Sequence, residues 1–221
     1  MAKKEKTKDK IIRVSTRMFL EYGYSASSVK MVCDELGISK GNYTFYFRSK
    51  DDILAVLTDL LCKYQWKLIK EEADGGVSSL LSICLELMTM AAACEESEVA
   101  KDFFVSTYQS PKCLEIIHNN DTARAKEVFA QYCPDWTDEQ FREAEILVAG
   151  IEHATLSNID YTVPLETRIS GALNTIMMIY NVPEEIRKIK IDKVLAMDYR
   201  SIGKRIFNEF KEYVEGMQNS E

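Results

Sequence analysis

The sequence predicts an all-α protein, and three observations support this fold class. The 3.6-residue hydrophobic period of an amphipathic helix runs through almost the whole chain, whereas the alternation typical of a half-buried strand is nearly absent. Only four prolines and nine glycines occur in 221 residues, so few positions interrupt a helix. We expect two units: residues 1–50, with three helices and a helix-turn-helix at about 27–47, and residues 51–221, a larger helical unit.

Caps and helix breakers predict where the helices begin and end. Gly23 follows a helix at the position that favours a left-handed residue, and Thr137 with Gln140 forms a capping box. Pro183 ends the helix before it. The predicted helices cover about residues 7–22, 27–36, 39–45, 50–72, 77–95, 97–109, a short piece after 111, 121–132, 137–158, 165–181, 184–199 and 201–217.

The second and third predicted helices have the pattern of a helix-turn-helix. Ser27 or Ser28 caps the second helix, since a hydroxyl accepts from the backbone N–H groups of the first turn. Gly37 opens the turn and Ser39 caps the third helix. Two short helices joined by a turn of three or four residues with a glycine are typical of this motif.

The charge of the chain is divided unevenly. Its net charge is −7, yet residues 1–50 hold eight lysines and three arginines against two aspartates and three glutamates, a balance of +6. The remaining residues hold 17 basic and 30 acidic side chains, a balance of −13. This asymmetry indicates a cationic unit that faces DNA, joined to an acidic body. The lysines among residues 3–10 form either an arm for a neighbouring groove or a solvated tail.

Composition excludes several other classes. The six cysteines are far apart, without a CxxC pair and with only two histidines in the chain, so we expect neither a metal site nor a disulfide framework. No nucleophile–base spacing or phosphate-binding glycine loop appears, so we expect no catalytic residue, no cofactor and no enzyme. No apolar run of about 18 residues and no signal-peptide core occur, so we expect a cytoplasmic protein without a membrane partner.

A set of fixed spacings resembles the N-terminal domain of TetR-family transcriptional regulators. The matching residues are Phe-Leu-Glu-Tyr-Gly-Tyr at 19–24, Ser-Ser-Val at 27–29, Leu-Gly-Ile-Ser-Lys-Gly at 36–41, Tyr-Phe at 46–47 and Ser-Lys-Asp-Asp-Ile-Leu at 49–54. The resemblance covers about fifty residues, and no motif in the remaining chain is diagnostic. It implies a homodimer that binds a palindromic double-stranded operator, usually as a repressor released by a small-molecule effector.

The resemblance also implies residue roles. The third helix, led by Lys40, Asn42 and Tyr43, should face the major groove. The residues expected to hold phosphates are Ser27 or Ser28, Tyr46 and Lys50, and Ser39 and Thr44 belong to the same DNA-binding surface. Chemistry agrees, because asparagine pairs with adenine, lysine reaches guanine, and a helix N-terminus near a lysine seats a phosphate.

Three positions near the end of the third helix need separate treatment. Thr44 stands where the family usually has a tyrosine that grips the backbone, and its hydroxyl has a shorter reach. Either Tyr43 or Tyr46 makes that contact instead, or phosphate affinity is lower. Phe45 and Phe47 are expected in the core of the small unit.

The second unit offers candidates for a ligand site. The helix at 77–95 is apolar on nearly all sides and should be buried, and its polar residues follow one stripe. That stripe is either a narrow exposed edge or the polar wall of a cavity, with Glu86 facing a cationic or hydroxylated ligand. The candidate ligand residues are Trp66, Glu86, Met90, Phe104, Tyr108 and His153, for each of which an ordinary core role is the alternative.

The helices at 137–158 and 165–181 are the expected dimer contacts. Both carry more apolar surface than one core-facing stripe requires, and a helix that is apolar on two faces must bury both. The sequence therefore predicts a ligand-responsive homodimeric repressor. The alternative is an activator, or a regulator of the same fold that responds to a protein partner and has a filled core.

Overall fold

A computed structural model describes residues 6–73, 79–158 and 160–216, and within these ranges every regular element is an α-helix. The all-α prediction is confirmed. The helices are α1 (Thr7–Tyr22), α2 (Val29–Leu36), α3 (Lys40–Tyr46), α4 (Lys50–Ala73), α5 (Ser79–Glu96), α6 (Glu98–Gln109), α7 (Pro111–Phe129), α8 (Asp138–Ser157), α9 (Leu165–Ile179), α10 (Glu184–Leu195) and α11 (Tyr199–Gly216).

Local caps explain why several helices begin where the sequence predicts. The Ser28 hydroxyl accepts from the backbone N–H of Met31, so Ser28 and not Ser27 caps α2. The Thr137 hydroxyl accepts from the Gln140 N–H, and the Gln140 side chain accepts from the Thr137 N–H, which completes the predicted capping box.

Helix α5 is the central element of the body. It packs against α4, α6, α9, α10 and α11, and eleven of its residues are buried. The predicted burial is confirmed. Ser82 and Thr89 are buried as well, and the Thr89 hydroxyl donates to the Glu86 carbonyl at 2.9 Å. The polar stripe of α5 is therefore not an exposed edge.

Helix α7 corrects one prediction, because a single helix covers residues that the sequence divides near 121. The Asn120 amide donates to the Ile116 carbonyl at 3.0 Å, and the Thr122 hydroxyl donates to the His118 carbonyl at 2.6 Å. Side chains that favour caps instead bond to the preceding turn, so the helix continues. It ends at Phe129 rather than at 132.

The junction of the last two helices also differs from its prediction. Helix α10 ends at Leu195, and α11 begins at Tyr199. The Asp198 side chain accepts from the Ser201 N–H at 3.2 Å, so an aspartate fixes the start of α11. The predicted helix limits at 77 and 217, and the lysines at 3 and 4, lie outside the described residues.

Helix α1 packs against α4, α6 and α11, and hydrogen bonds near Gly23 add to this attachment of the first three helices. Asp102 on α6 accepts from the backbone N–H of Ser25 at 2.8 Å and from its hydroxyl. Gly23 has φ +96°, and a Cβ there would lie 2.8 Å from the Asp102 Oδ2. Lys211 on α11 donates to Glu21 at 2.9 Å. These contacts set the position of α2 and α3 relative to the helical body.

Candidate DNA-binding surface and interior cavity

Helices α2 and α3 form the predicted helix-turn-helix. Gly37 has φ +62° and ψ +34°, a left-handed conformation that L side chains rarely adopt. The Ile38 N–H donates to the Cys33 carbonyl at 3.0 Å, which closes the end of α2. The Ser39 hydroxyl accepts from the Asn42 N–H at 3.1 Å and starts α3. The turn therefore holds α3 at a fixed angle to α2.

Tyr43 faces inward, which corrects the prediction that it contacts DNA. Its side chain is 0% exposed, and its ring lies 6.3 Å from that of Phe47, which is buried as predicted. Burial raises the pKa of the Tyr43 phenol above its usual value. Its hydroxyl has no hydrogen-bond partner within the described part of the chain. Tyr43 is thus the side chain that anchors α3 to the core.

Phe45 corrects the prediction in the opposite direction. It was expected in the core, yet it is 80% exposed, and its ring packs edge-on against that of Tyr46 at 5.0 Å. Each residue of an α-helix is rotated by about 100°, so a side chain two positions after the buried Tyr43 points to the opposite side of α3. Lys40, Asn42 and Thr44 are also exposed, so α3 presents a mixed polar and aromatic surface.

Four hydroxyl groups of the predicted DNA-binding set are already bonded to backbone groups, those of Ser27, Ser28, Ser39 and Thr44. The Ser27 side chain is buried and donates to the Gly23 carbonyl at 2.7 Å, which corrects its proposed phosphate role. Ser28 is exposed at the start of α2 and remains suited to a phosphate. The Thr44 hydroxyl donates to the Gly41 carbonyl at 3.2 Å, so it is held along its own helix.

Lys50 is a connecting residue as well as a candidate phosphate ligand. Its ammonium donates to the Tyr24 carbonyl at 2.9 Å and to the Ser27 carbonyl at 3.1 Å. The same group lies 4.1 Å from the centre of the Tyr24 ring. An ammonium has three donor hydrogens, so one is left for a phosphate after both carbonyl bonds form. The side chain ties the start of α4 to the chain before α2.

An interior cavity of about 70 Å³ lies between helices of the body. Four predicted ligand residues line it: Glu86, Met90, Phe104 and Tyr108. The other two lie beside it. Trp66 packs under the guanidinium of Arg124, and His153 stacks against Tyr108 with ring centres 6.0 Å apart.

The cavity contains polar residues that the sequence did not single out. Arg124 donates to both carboxylate oxygens of Glu86 at 3.0 Å and to the Cys62 carbonyl at 2.5 Å. Its guanidinium carbon lies 4.8 Å from the centre of the Trp66 ring. Asp121, one helical turn earlier on α7, has an oxygen 3.5 Å from the same guanidinium. Arg124 thus joins α7 to α4 and α5.

Besides Glu86, three acidic side chains line this cavity: Asp121 on α7, and Glu145 and Glu152 on α8. Glu152 accepts from the Tyr108 hydroxyl at 2.9 Å, and Glu145 accepts from the Tyr180 hydroxyl. Burial raises the pKa of Asp121 to about 8 and that of Glu145 to about 7. Burial also raises the pKa of Glu152 well above its usual range. One pattern in the sequence could have indicated these acids. Glu145 and Glu152 are seven positions apart and so lie on the same face of α8 as the buried Val148.

Exposed apolar and small residues form a stripe on α8 and α9. Leu147 is 57% exposed and Met178 is 53% exposed. On α8, Gly150 and Ala154 follow Leu147 at helical spacing and are exposed. A Cβ added at Gly150 would meet no atom within 4 Å. We call Leu147, Gly150, Ala154, Gly171, Thr175 and Met178 the α8–α9 face.

Metal sites and membrane-spanning helices are absent from the described residues. Within those ranges no group of three or more His, Cys, Asp or Glu side chains is arranged to hold a metal ion. None of the helices in the same ranges is both long and apolar enough to cross a membrane.

Comparison with known proteins identifies the first domain. The family described as "Bacterial regulatory proteins, tetR family" matches residues 11–57. The chain is 38% identical over 47 residues to the uncharacterized HTH-type transcriptional regulator YerO of Bacillus subtilis (strain 168), which is 21% of this chain and 16% of YerO. It is 29% identical over 111 residues to the HTH-type transcriptional regulator HbdR of Aromatoleum sp. (strain CIB), which is 50% of this chain and 47% of HbdR.

A solved structure is also similar in outline. The crystal structure of a gamma-butyrolactone receptor (ArpA-like protein) aligns with 92% of this chain and 97% of its own, with a TM-score of 0.44 and 16% identity. A likeness at this level supports no conclusion about a ligand. The aligned sequence segments span less than half of either curated relative. Residues 11–57, which contain the helix-turn-helix, therefore match the tetR family of bacterial regulatory proteins.

Proposed function

We propose that this TetR-family regulator binds a palindromic operator as a homodimer and represses transcription until a small-molecule effector enters the interior cavity. The observation that carries the DNA-binding part is α3. It exposes Lys40, Asn42, Phe45 and Tyr46, while the buried Tyr43 fixes which side of the helix turns outward. The excess of basic residues before position 50 supplies the positive charge that phosphate binding requires.

Selection of bound duplexes from a random-sequence library tests DNA binding directly. We expect the purified full-length protein to enrich one palindrome, because two identical α3 helices read two half-sites. If each subunit neutralises about three phosphates, the log–log dependence of affinity on salt has a slope of about −5. The double variant Lys40→Ala/Asn42→Ala should lose sequence preference, whereas Lys63→Gln on α4 serves as a matched control. An absent motif with a slope near zero would contradict the proposal.

The α8–α9 face supports the homodimer. Its exposed Leu147 and Met178 are costly in water, and its glycines allow helix backbones to approach closely. We expect sedimentation of about twice the chain mass of 25.3 kDa at micromolar concentration. Leu147→Glu should give monomers with unchanged helix content, and Lys63→Gln on the exposed side of α4 should not. A monomeric wild type would exclude this part of the proposal.

The alternative is an activator, or a regulator controlled by a protein partner. The interior cavity favours a small molecule over a protein, since a filled core would leave no such space. A reporter gene under the selected operator separates repression from activation. Repression predicts higher expression when the regulator is deleted, and activation predicts lower expression.

A further inference from the structure

The interior cavity carries an unbalanced set of charges. Among the described residues that line it, the one basic side chain is Arg124, and it faces Glu86, Asp121, Glu145 and Glu152. One guanidinium nitrogen of Arg124, Nη1, donates to both carboxylate oxygens of Glu86, so this acid has a charge-assisted partner. The other three acids have no second cation within that lining.

Arg124 itself shows which chemistry this cavity holds. Its guanidinium donates to both oxygens of the Glu86 carboxylate and to a backbone carbonyl, and it lies over the face of the Trp66 ring. Those three partners are the set that recognises a guanidinium or an ammonium in a ligand site. Tyr108 and Tyr180 add hydroxyl groups that hold Glu152 and Glu145 in place. The cavity is therefore preorganised for a cation and already contains one from its own chain.

The volume limits what can enter. A free volume of about 70 Å³ is room for several water molecules, so a small group fits but a whole drug-sized molecule does not. Met90 and Phe104 line the same cavity and offer apolar contact to a carbon chain attached to that group. A cationic head with a short aliphatic stem meets both the charge and the volume.

We propose that the cavity binds the cationic end of the effector, an aliphatic amine or guanidine, and that this group competes with Arg124 for Glu86. The inference rests on the proposed function, since it names the chemical class of the effector. Burial raises the pKa of Asp121 and that of Glu145, so an incoming cation that favours their charged forms releases protons from them.

The same contacts connect ligand binding to DNA binding. The other terminal nitrogen of Arg124 bonds the Cys62 carbonyl on α4, so a displacement of the guanidinium from Glu86 would strain or break that bond as well. Cys62 lies twelve residues after Lys50 on α4, a distance of about 18 Å along the helix. Lys50 holds the chain that leads into α2. A ligand that binds only when Arg124 has moved shifts α4 toward a different position, and α4 begins at the DNA-binding surface.

Calorimetry on the full-length protein tests the chemical class. The probes are putrescine and agmatine, with 1-butanol and butyrate as neutral and anionic controls of similar chain length. We expect heat of binding and a raised Tm with the two cations only. Glu152→Gln should weaken cation binding at least tenfold, and Glu143→Gln, on the exposed side of α8, should not change it. Binding of butyrate in preference to the cations would overturn the inference.

A spectroscopic measurement on the wild type avoids dependence on a folded variant. The NMR signals of the arginine side chains include that of Arg124, assigned with Arg124→Lys. We expect this signal to shift on titration with agmatine and not with butanol. A signal that stays unchanged while agmatine binds would exclude competition with Arg124.

Operator binding in the same samples separates this inference from the proposed function. If the protein binds its operator and putrescine or agmatine releases it, both stand. If the operator is bound but neither cation binds the protein, the cation inference fails alone. If no operator is bound at all, the proposed function fails.

The exposed Phe45 carries a second, independent inference about operator recognition. Gly41, Asn42 and Phe45 lie on one side of α3, and Gly41 has no side chain to keep that side away from DNA. The ring of Phe45 is 80% exposed, so contact with an apolar group would remove its surface from water at a gain in free energy. The apolar group that a major groove offers is the 5-methyl group of thymine.

We infer that Phe45 contacts a thymine methyl group and so selects a T·A pair in each half-site. This inference rests on the proposed DNA binding. The test replaces each thymine of the selected operator by deoxyuridine, which lacks only the methyl group. For the wild type we expect about a fourfold loss of affinity at one position in each half-site. Phe45→Ala should bind the two duplexes equally, whereas Lys63→Gln should behave as the wild type.

Two outcomes decide this second inference. A duplex with no position at which deoxyuridine weakens the wild type would exclude the methyl contact, although the operator is still bound. A methyl effect that persists in Phe45→Ala would assign the contact to another side chain.

Discussion

Two cationic side chains connect helix α4 to other parts of the molecule, and their surroundings differ. Lys50 at the start of α4 bonds two backbone carbonyls and packs on Tyr24, close to the surface that faces DNA. Arg124 bonds a carbonyl in the middle of α4 and packs on Trp66, but it is also paired with Glu86 inside the cavity. The lysine has a donor left for a phosphate, and the arginine is neutralised by its own chain.

This difference indicates separate roles for two similar constructions. A partly exposed cation with neutral partners keeps its charge available to an anion outside. A buried cation among carboxylates can be exchanged for another cation, because its partners stay in place. Helix α4 joins the two positions, and it is the rigid element through which the proposed exchange at Arg124 would reach Lys50.

The largest expected loss of stability comes from replacing Arg124, the one of the two cations that lies inside the cavity. Arg124→Met leaves Glu86 and Asp121 without their cation, and we expect a loss of about 3–5 kcal/mol in the free energy of unfolding. Lys50→Met removes a half-buried cation from neutral partners and should cost about 1 kcal/mol. Urea denaturation followed by circular dichroism measures both. Equal costs would contradict the distinction, and Glu86→Gln/Arg124→Met should recover part of the loss.

The pH dependence of stability sharpens the comparison, because the acids of the two regions shift in opposite directions. Burial raises the pKa of Asp121 to about 8 and that of Glu145 to about 7, so the folded protein keeps protons that the unfolded chain has lost. Their contribution is full below about pH 4 and is lost as the pH rises to about 8. We expect the urea concentration at the unfolding midpoint to decrease as the pH is raised from 5 to 8. In the Asp121→Asn variant this decrease should be smaller.

Asp52 at the start of α4 provides the control. Its hydrogen bond with Lys112 and those with backbone N–H groups lower its pKa. The stability it contributes is present above its unfolded pKa of 3.8 and is lost only as the pH falls through its lowered value. Asp52→Asn should therefore leave the slope between pH 5 and 8 unchanged. A changed slope in this variant would show that the cavity acids are not its source.

Helix caps in the two regions should cost the same stability but differ in function. Ser39→Ala removes the cap of α3, and Ser97→Ala removes the cap of α6. Each should lower the free energy of unfolding by about 1 kcal/mol. Only Ser39→Ala should weaken operator binding, because it loosens the helix that faces the groove. An equal effect of both on DNA affinity would point to general destabilisation.

The smallest expected effect comes from an ion pair outside both regions. Lys63 and Asp59 lie one turn apart on the exposed side of α4, with a nitrogen–oxygen distance of 2.7 Å. Lys63→Gln should change the free energy of unfolding by about 0.3 kcal/mol and leave DNA affinity within error. A larger effect on affinity would mean that α4 is sensitive along its whole length, and not only at its two cation contacts.

Periodicity and caps predicted most helices and the helix-turn-helix, since these depend on neighbours in sequence. Ser39, Thr137 and Gln140 make the predicted local hydrogen bonds. The burial of Tyr43 and the exposure of Phe45, the reverse of what was expected, could not be predicted in this way. A helix of two turns has too few residues to fix its buried side, and contact with α2 and the rest of the core decides it.

The interior cavity required the tertiary structure altogether. Arg124 meets Glu86 across 38 positions of sequence and Cys62 across 62. No local pattern encodes such pairs, because the packing of α7 against α4 and α5 brings them together. The sequence alone therefore determined the likeness of residues 11–57 to the tetR family, most of the helices and the excess of basic residues before position 50. The fold decided which side of α3 is presented and which charges share the cavity, since both depend on contacts between distant helices.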